Sequence, residues 1–395
     1  MSERSTSRSR RPRRRRWPLV VLGAVAIGTV AAVQSTDWLR SFGAQPTGDR
    51  LTRMQRSPRY RDGAFENAVP TRKSLPGSFR RTMKLQFTGD QQRVPPSAIP
   101  IVAGARETYA TPPASGLRVT WLGHSTTLLE VDGVHVLTDP VWGERASPST
   151  WVGPRRFHPP PLPLNALPPI DAVIISHDHY DHLDMPTIRA LAGDSSQQRL
   201  RFVVPLGIGA HLERWGVAPE RITELDWGDT TRVGDASRGA TLTAAPSRHF
   251  SGRRLRDALG RGNPTLWATW VIAGDRHRVF FSGDTGFFED FAKIGDQLGP
   301  FDLTLIKIGA YGETWPEIHV NPEEAVRAHT LLRGRVLLPI HWGTFNLAFH
   351  AWTEPAERVV RAAREAGAVV TLPRPGQPLE PSALPPHQAW WQGVR

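Results

Sequence analysis

His177-Asp178-His179-Tyr180-Asp181-His182 gathers four metal-ligand candidates, His177, His179, Asp181 and His182, into six residues. The apolar run Ala172-Val173-Ile174-Ile175 precedes it and reads as a buried strand. A Pro-rich turn region, Pro159 to Pro169, lies ahead of that strand. Leu183-Asp184-Met185-Pro186 follows, with Asp184 and Pro186 as helix-start residues. The motif therefore sits in a loop between a strand end and a helix start. In extended chain, residues i and i+2 point to one side. His177 and His179 can offer two imidazoles to one cation, while Asp181 and His182, past the turn, can reach a second. Imidazole and carboxylate suit zinc and similar divalent ions. A solvated polar loop is the plain alternative, and this concentration of ligands at a strand end argues against it.

Upstream, Leu117–Trp121, Thr127–Val131 and Val134–Leu137 read as strands, with Asp132-Gly133 as a hairpin turn. A long Pro-, Gly- and Trp-bearing insertion runs from Pro140 to Pro169, and loops of that length are usually functional. Downstream, helices are expected at Met185–Ala192, Ile208–Trp215, Phe287–Leu298, from Pro322 to Leu332 with Asn321 as cap, and Pro355–Ala366. Strands are expected at Arg201–Val204, Ile222–Leu225, Ala240–Ala245, Leu266–Ile272, Val279–Phe281, Leu303–Ile308, Val336–Pro339 and Ala368–Leu372. Two runs of strands mixed with helices fit an α/β two-sheet core with helices outside.

The chain resembles the metallo-β-lactamase superfamily. Within it, Trp121-Leu122-Gly123-His124-Ser125-Thr126, Leu137-Thr138-Asp139-Pro140, Ser147-Pro148-Ser149 and Pro168-Pro169-Ile170-Asp171-Ala172-Val173 resemble one branch. So do Ile308-Gly309-Ala310-Tyr311, Asn321-Pro322-Glu323-Glu324-Ala325-Val326-Arg327 and His341-Trp342-Gly343-Thr344-Phe345. That branch is N-acylphosphatidylethanolamine-hydrolysing phospholipase D and its bacterial relatives, and the resemblance covers roughly residues 117 to 375. It implies the αββα sandwich of the metallo-β-lactamase fold and two Zn2+ per chain. It implies that His177, His179 and His249 hold one ion, that Asp181, His182 and His341 hold the other, and that Asp284 bridges them. His249, Asp284 and His341 each follow a strand-like run, as a site at a sheet edge requires. The branch pattern makes His319 a pocket-lining residue and gives His124 a site-lining or supporting role, both toward substrate. Asp178 stands where the mammalian type carries Asn.

The expected chemistry follows from charge. Phosphorus in a diester is shielded by its oxygens, and two cations about 3.5–4 Å apart can activate a shared water and clamp the attacking and leaving oxygens. A bridging hydroxide would attack directly, with Asp181 and Asp284 as the catalytic carboxylates and Asp181 orienting or relaying the proton. Ser125 lacks a nucleophile-elbow setting, and Gly207-Ile208-Gly209 is not continued into a dinucleotide fingerprint. Tyr180 and His329 read as packing residues. His135, His158, His211, His277, His350 and His387 have no context that singles them out.

The net charge is +12, but it is unevenly placed. Residues 1–16 hold eight Arg against one Glu, residues 17–95 carry +7, and residues 96–395 carry −2. A nearly neutral catalytic part argues against a nucleic-acid groove. Cys is absent, which excludes disulfides and thiolate metal sites. The expected order is a disordered Arg-rich tail (1–16), a transmembrane signal anchor (17–33), a basic stalk that wraps onto the domain (34–116), the catalytic domain (117–375) and a Pro-rich tail (376–395). The positive-inside rule places the catalytic domain on the extracytoplasmic side, with a cleaved secretory signal as the alternative. Arg80, Arg81 and Lys84 could face anionic lipid headgroups. The function expected is a membrane-associated, dinuclear-zinc phosphodiesterase acting on phospholipids. The alternative is a hydrolase of the same fold acting on a soluble lactone or phosphate ester.

Overall fold

The computed structural model describes residues 37–254, 257 and 262–395. The chain divides into two compact units, residues 1–41 and 42–395. Of the first only 37–41 are described, and they are helical. The expected tail 1–16 and membrane segment 17–33 lie outside the described residues. Among the described residues no helix is long and apolar enough to cross a membrane.

The second unit begins with segments that precede the sandwich. These are α1 (Gly48–Arg56), the small ribbon β1 (Tyr60–Arg61) and β2 (Ala64–Phe65), and α2 (Phe79–Phe87). Met54 and Phe65 are buried in a cluster with Leu206, Leu266 and Trp267. Arg50 joins α1 to Glu213 and Glu224, each at 2.8 Å. Glu224 in turn accepts from the backbone N–H groups of Gly207 and Gly209, at 2.8 and 2.9 Å. That glycine pair therefore serves a buried carboxylate of this chain.

Seven strands form the first sheet: β3 (Leu117–Gly123), β4 (Thr126–Val131), β5 (Val134–Thr138), β6 (Ala172–Ile174), β7 (Arg201–Pro205), β8 (Ile222–Leu225) and β15 (Pro378–Leu379), in the order β15-β3-β4-β5-β6-β7-β8. Helices α3 (Met185–Gly193) and α4 (Gly209–Arg214) follow β6 and β7. The second sheet holds β9 (Thr230–Gly234), β10 (Gly239–Ala245), β11 (Thr269–Ala273), β12 (Arg278–Phe281), β13 (Phe301–Lys307) and β14 (Gly334–Ile340), in the order β14-β13-β12-β11-β10-β9. Helices α5 (Asp290–Leu298), α6 (Pro322–Leu331) and α7 (Glu354–Ala366) pack with this sheet.

Alternation along the strands divides the core. Val136, Ala172 and Ile174 join the cluster shared with Leu242, Trp270, Phe280 and Leu305 of the other sheet. Their neighbours Leu137, Val173 and Ile175 join a separate cluster with Ile188 of α3 and Leu212 of α4. Period-two side-chain geometry thus gives a sheet-on-sheet centre with helices outside. The β4–β5 turn has positive φ at both Asp132 and Gly133 (49° and 89°), as a two-residue hairpin of this type demands. Asn321 closes a full capping box with Glu324 at the start of α6.

Several expectations shift. The strand expected at Leu266–Ile272 begins only at Thr269, because Leu266 and Trp267 turn away to pack on Phe65 and Met54. The helix expected from Phe287 begins at Asp290, and the carbonyl of Phe287 instead accepts from Arg248 at 3.0 Å. Ala368–Leu372 makes only one parallel bridge, Val370 to Leu337. Edge strand β9 was not expected, and only Val233 of it is buried. The stretch 376–395 is not a free tail. Its β15 pairs with β3, and Trp390 and Trp391 are buried in the main core against Trp342.

Candidate metal centre

The site lies where β5 and β6 end side by side. Backbone and side chain of Ser176 both donate to the carboxylate of Asp139, each at 2.6 Å. Asp139 also receives the Nδ1 of His182 at 2.6 Å. Between them the chain turns, and the N–H groups of His182 and Leu183 close on the carbonyl of His179 at 3.1 and 2.8 Å. This turn returns His182 beside His177, with ring centroids 4.2 Å apart. Asp184 then caps α3, accepting from the backbone of Thr187 at 3.3 Å.

The other sheet supplies the remaining residues, each just past a strand end. His249 follows β10, Asp284 follows β12 and His341 follows β14. Asn67, from the segment ahead of the sandwich, brackets the backbone of His249. Its carboxamide donates to the carbonyl at 2.7 Å and accepts from the N–H at 3.0 Å. His341 adopts a left-handed backbone, φ 63°, and its N–H donates to the carbonyl of His124 at 2.9 Å.

Three ring nitrogens converge on one point. Nδ1 of His179 lies 2.8 Å from Nε2 of His177 and 3.4 Å from Nε2 of His249. The far nitrogens of the latter two are already committed. Nδ1 of His249 donates to the carbonyl of Ile318 at 3.0 Å. Nδ1 of His177 lies 2.9 Å from Oγ of Ser176, whose own proton goes to Asp139. Both rings therefore present a bare Nε2 lone pair. A second group gathers alongside. Nε2 of His182 lies 3.3 Å from Asp181 and 3.5 Å from Asp284, and Nε2 of His341 lies 3.4 and 3.0 Å from the same carboxylates. Nε2 of His182, Oδ1 of Asp284 and both ring nitrogens of His341 are buried with no hydrogen-bond partner. Buried lone pairs facing one another are costly. This donor set fits divalent cations, and within each of the groups His177/His179/His249, His124/Asp181/His182/His341 and His177/His182/Asp284 the ligand atoms lie within 4.8 Å of one another.

Electrostatics point the same way. Burial pushes His177 and His249 well below the usual imidazole range, and lowers His179. Neutral imidazole is the ligand form. His182 is the exception: burial opposes its charge, but Asp181, Asp284 and Asp139 outweigh burial and hold it well above the usual range. Asp181 and Asp284 are both well below the carboxylate range; burial opposes this, but the surrounding histidines, with Lys307 beside Asp284, outweigh it.

The structure thus brings together all seven residues expected as ligands. His124 stands closer than a lining residue need be, with Nε2 2.9 Å from Asp181. His319 sits beside Asp284, Nδ1 to Oδ2 3.5 Å. Reading the sequence missed Lys307, which is fully buried at the end of β13 and donates to Nδ1 of His319 and to the carbonyl of Gly309. Burial lowers it to about 8, against the pull of Asp284 and Asp181. A lysine inside the strand-like run Leu303–Ile308 was the available signal. The sequence reading gave Asp139 no role, although it stands at the end of the strand beside the motif strand. Nothing in the sequence could single out Asn67. His211, set aside earlier, accepts at Nδ1 from the backbone of Ala44 and so directs its other nitrogen at Asp178, 3.4 Å away. Tyr180 packs under the guanidinium of Arg253, 4.0 Å from ring centroid to carbon. That guanidinium also donates to the carbonyls of Asp178 and Leu183, fixing the motif loop from below.

Residues 135–342 match the family described as beta-lactamase superfamily domain. An uncharacterized protein of Mycobacterium tuberculosis is 47% identical over 379 residues, covering 93% of this chain and 98% of that one. The N-acyl-phosphatidylethanolamine-hydrolyzing phospholipase D 1 of Caenorhabditis elegans is 40% identical over 252 residues, covering 62% of this chain and 69% of that protein. An isothiocyanate hydrolase from Delia radicum gut bacteria superposes with a TM-score of 0.50 at 19% identity, covering 67% of this chain and 98% of that one, and shares the fold.

Proposed function

Since this chain belongs to the metallo-β-lactamase superfamily and is a metal-dependent hydrolase, we propose that it is a dinuclear-zinc phosphodiesterase that cleaves membrane phospholipids of the N-acylphosphatidylethanolamine type. One observation carries the reading: seven converging donors from two sheets, five of them buried and several without a hydrogen-bond partner, in a chain that is 40% identical over 252 residues to a phospholipase D of that specificity. His177, His179 and His249 would hold one ion, Asp181, His182 and His341 the other, and Asp284 both. Ions so held supply Lewis acidity and an activated water at neutral pH.

The chain's own residues then divide the remaining work. Asp139 and the carbonyl of Ile318 fix which nitrogen His182 and His249 present. Asp181, whose Oδ2 lies 2.9 Å from Nε2 of His124, would orient the attacking water or relay its proton. Lys307 directs His319 so that its Nδ1 accepts, which leaves the ring proton on Nε2 as a donor to a substrate oxygen. Trp17 to Val33 would anchor the chain, with the hydrolase on the extracytoplasmic side.

The test is product analysis on liposomes containing N-acylphosphatidylethanolamine, with zinc-loaded protein and its His177→Ala variant. Release of phosphatidic acid and N-acylethanolamine by the first and not the second is expected. Protein shown to hold two metals that releases neither would rule out this substrate and turn attention to soluble phosphodiesters and lactones.

A further inference from the structure

Helix α2 buries none of its residues. It meets the domain through Ser78, Thr82 and Leu85, which are half-buried. At about 100° per residue, Phe79, Met83 and Phe87 share one arc of roughly 80° on the outward side. They are 74%, 40% and 78% exposed. Arg80 and Lys84 border that arc, and Arg81 lies further round, paired with Glu313. The helix contains no acidic residue. A surface helix normally turns its large apolar side chains to the core. Here they point away from it, beside a basic edge.

A second apolar projection stands on the surface. The chain from Glu144 to Arg156 doubles back on itself, with Ala146 N–H on the carbonyl of Pro154 at 3.0 Å and Arg156 N–H on that of Glu144 at 2.9 Å. Its tip carries Trp151 and Val152, 74% and 72% exposed. The residues that tie the two segments to the domain, Arg93 beyond α2 and Phe157 beyond the doubled-back chain, line one recess together with Ala310, His341, Phe345 and His350. Arg93 donates to the carbonyl of Leu85 in α2 and covers the ring of Phe349 at 5.1 Å. Phe157, at the foot of the doubled-back segment, donates its N–H to the carbonyl of Thr344 at 2.9 Å. The recess contains the metal-ligand candidate His341.

We propose that α2 and the Trp151-Val152 tip form a docking face that lies in the headgroup layer of an anionic bilayer, with the mouth of the metal site turned to the lipid. Phe79, Met83, Phe87, Trp151 and Val152 enter the acyl boundary, while Arg80 and Lys84 meet phosphate oxygens. An apolar arc edged by basic residues is the composition of a helix lying in a membrane interface. The basic edge selects a lipid surface over a second copy of this chain, whose matching edge would repel it. The proposal rests on the phospholipid reading for its purpose, but the contact itself needs no substrate. It is also separate from any anchoring by Trp17–Val33.

The absence of Cys makes the test direct. Single-cysteine variants of the full chain, M83C, F87C, V152C and Q198C, are labelled with an environment-sensitive fluorophore. Gln198 is exposed and precedes β7, which runs parallel to β6, so it lies at the sheet end opposite the motif loop. The labels are read on phosphatidylcholine vesicles with and without phosphatidylglycerol, all free of N-acylphosphatidylethanolamine. Each label reports its own surroundings, so insertion elsewhere in the chain does not obscure it. Blue-shifted, several-fold brighter emission at 83, 87 and 152 on anionic vesicles, with 198 unchanged, is the expected result. The R80Q/K84Q pair should weaken that response by roughly fivefold per charge removed. Water-like emission at 83, 87 and 152 on vesicle-bound protein would overturn the proposal. So would an equal change at 198, or a shift without vesicles accompanied by a doubled molecular mass. Docking without phospholipid cleavage would refute the substrate alone, whereas cleavage of detergent-dispersed lipid with unshifted labels would refute the docking face alone.

Discussion

Asp139 shows how much of the site depends on residues that need not touch a metal. It holds Ser176 twice and His182 once, and so orients the strand end and one imidazole together. Burial raises its own pKa, opposing the pull of His182 and Ser176. Asp139→Asn keeps the shape but removes the charge that supports the Nδ1–H of His182. Metal affinity should fall by about 10- to 100-fold, measured by competition with a chromophoric chelator, with the far-ultraviolet spectrum unchanged. An unchanged affinity would show that His182 is held by packing alone. His329 gives a prediction away from the metals. It is buried on α6 against Thr304, at 2.7 Å, and burial lowers it to about 4. In the unfolded chain it titrates near about 6.5. Below that pH the unfolded state binds the extra proton, so stability present above it is lost as pH falls toward 4. The loss approaches roughly 3 kcal/mol. His329→Gln should flatten this part of the acid dependence in urea titrations between those pH values, and an unchanged slope would place the loss elsewhere. The ligands themselves were legible because four of them lie within six residues. Lys307 and Asn67 were not, since a lone lysine or asparagine acquires its meaning only from what the fold places beside it.

Among elements, the strands were the readable part. Period-two alternation and flanking turn residues located most of them within a residue or two. What escaped was the set of segments whose order comes from distant partners. β9 has one buried side chain, so its sequence carries no stripe. Trp390 and Trp391 follow a Pro-rich stretch that carries no strand or helix pattern, yet they complete an aromatic cluster with Trp342 and Trp121, at centroid distances of 5.3 Å for Trp342–Trp390 and 5.5 Å for Trp121–Trp342. Trp342 is the residue after His341, so this last turn of chain buttresses a metal-ligand candidate. Trp391→Ala should cost about 3–5 kcal/mol, read as a lower urea midpoint. A cost under about 1 kcal/mol would mean that the cluster tolerates the gap.

For the whole molecule, the seven ligand candidates span both sheets. His177 to His182 belong to one, and His249, Asp284 and His341 to the other. Bound cations would therefore act as a rivet through the sandwich as well as a catalyst. Chelation should let the sheet ends around Asp284 and His341 exchange amide hydrogens markedly faster, while the β3–β4–β5 meander stays protected. Equal rates with and without metal would show that apolar packing alone holds the sheets together. Such a rivet has an ecological corollary. A cell starved of such cations would lose not only the activity they support but the protein itself, because quality-control proteases find chains whose halves have begun to part. The abundance of the molecule would then record the metal supply of its compartment.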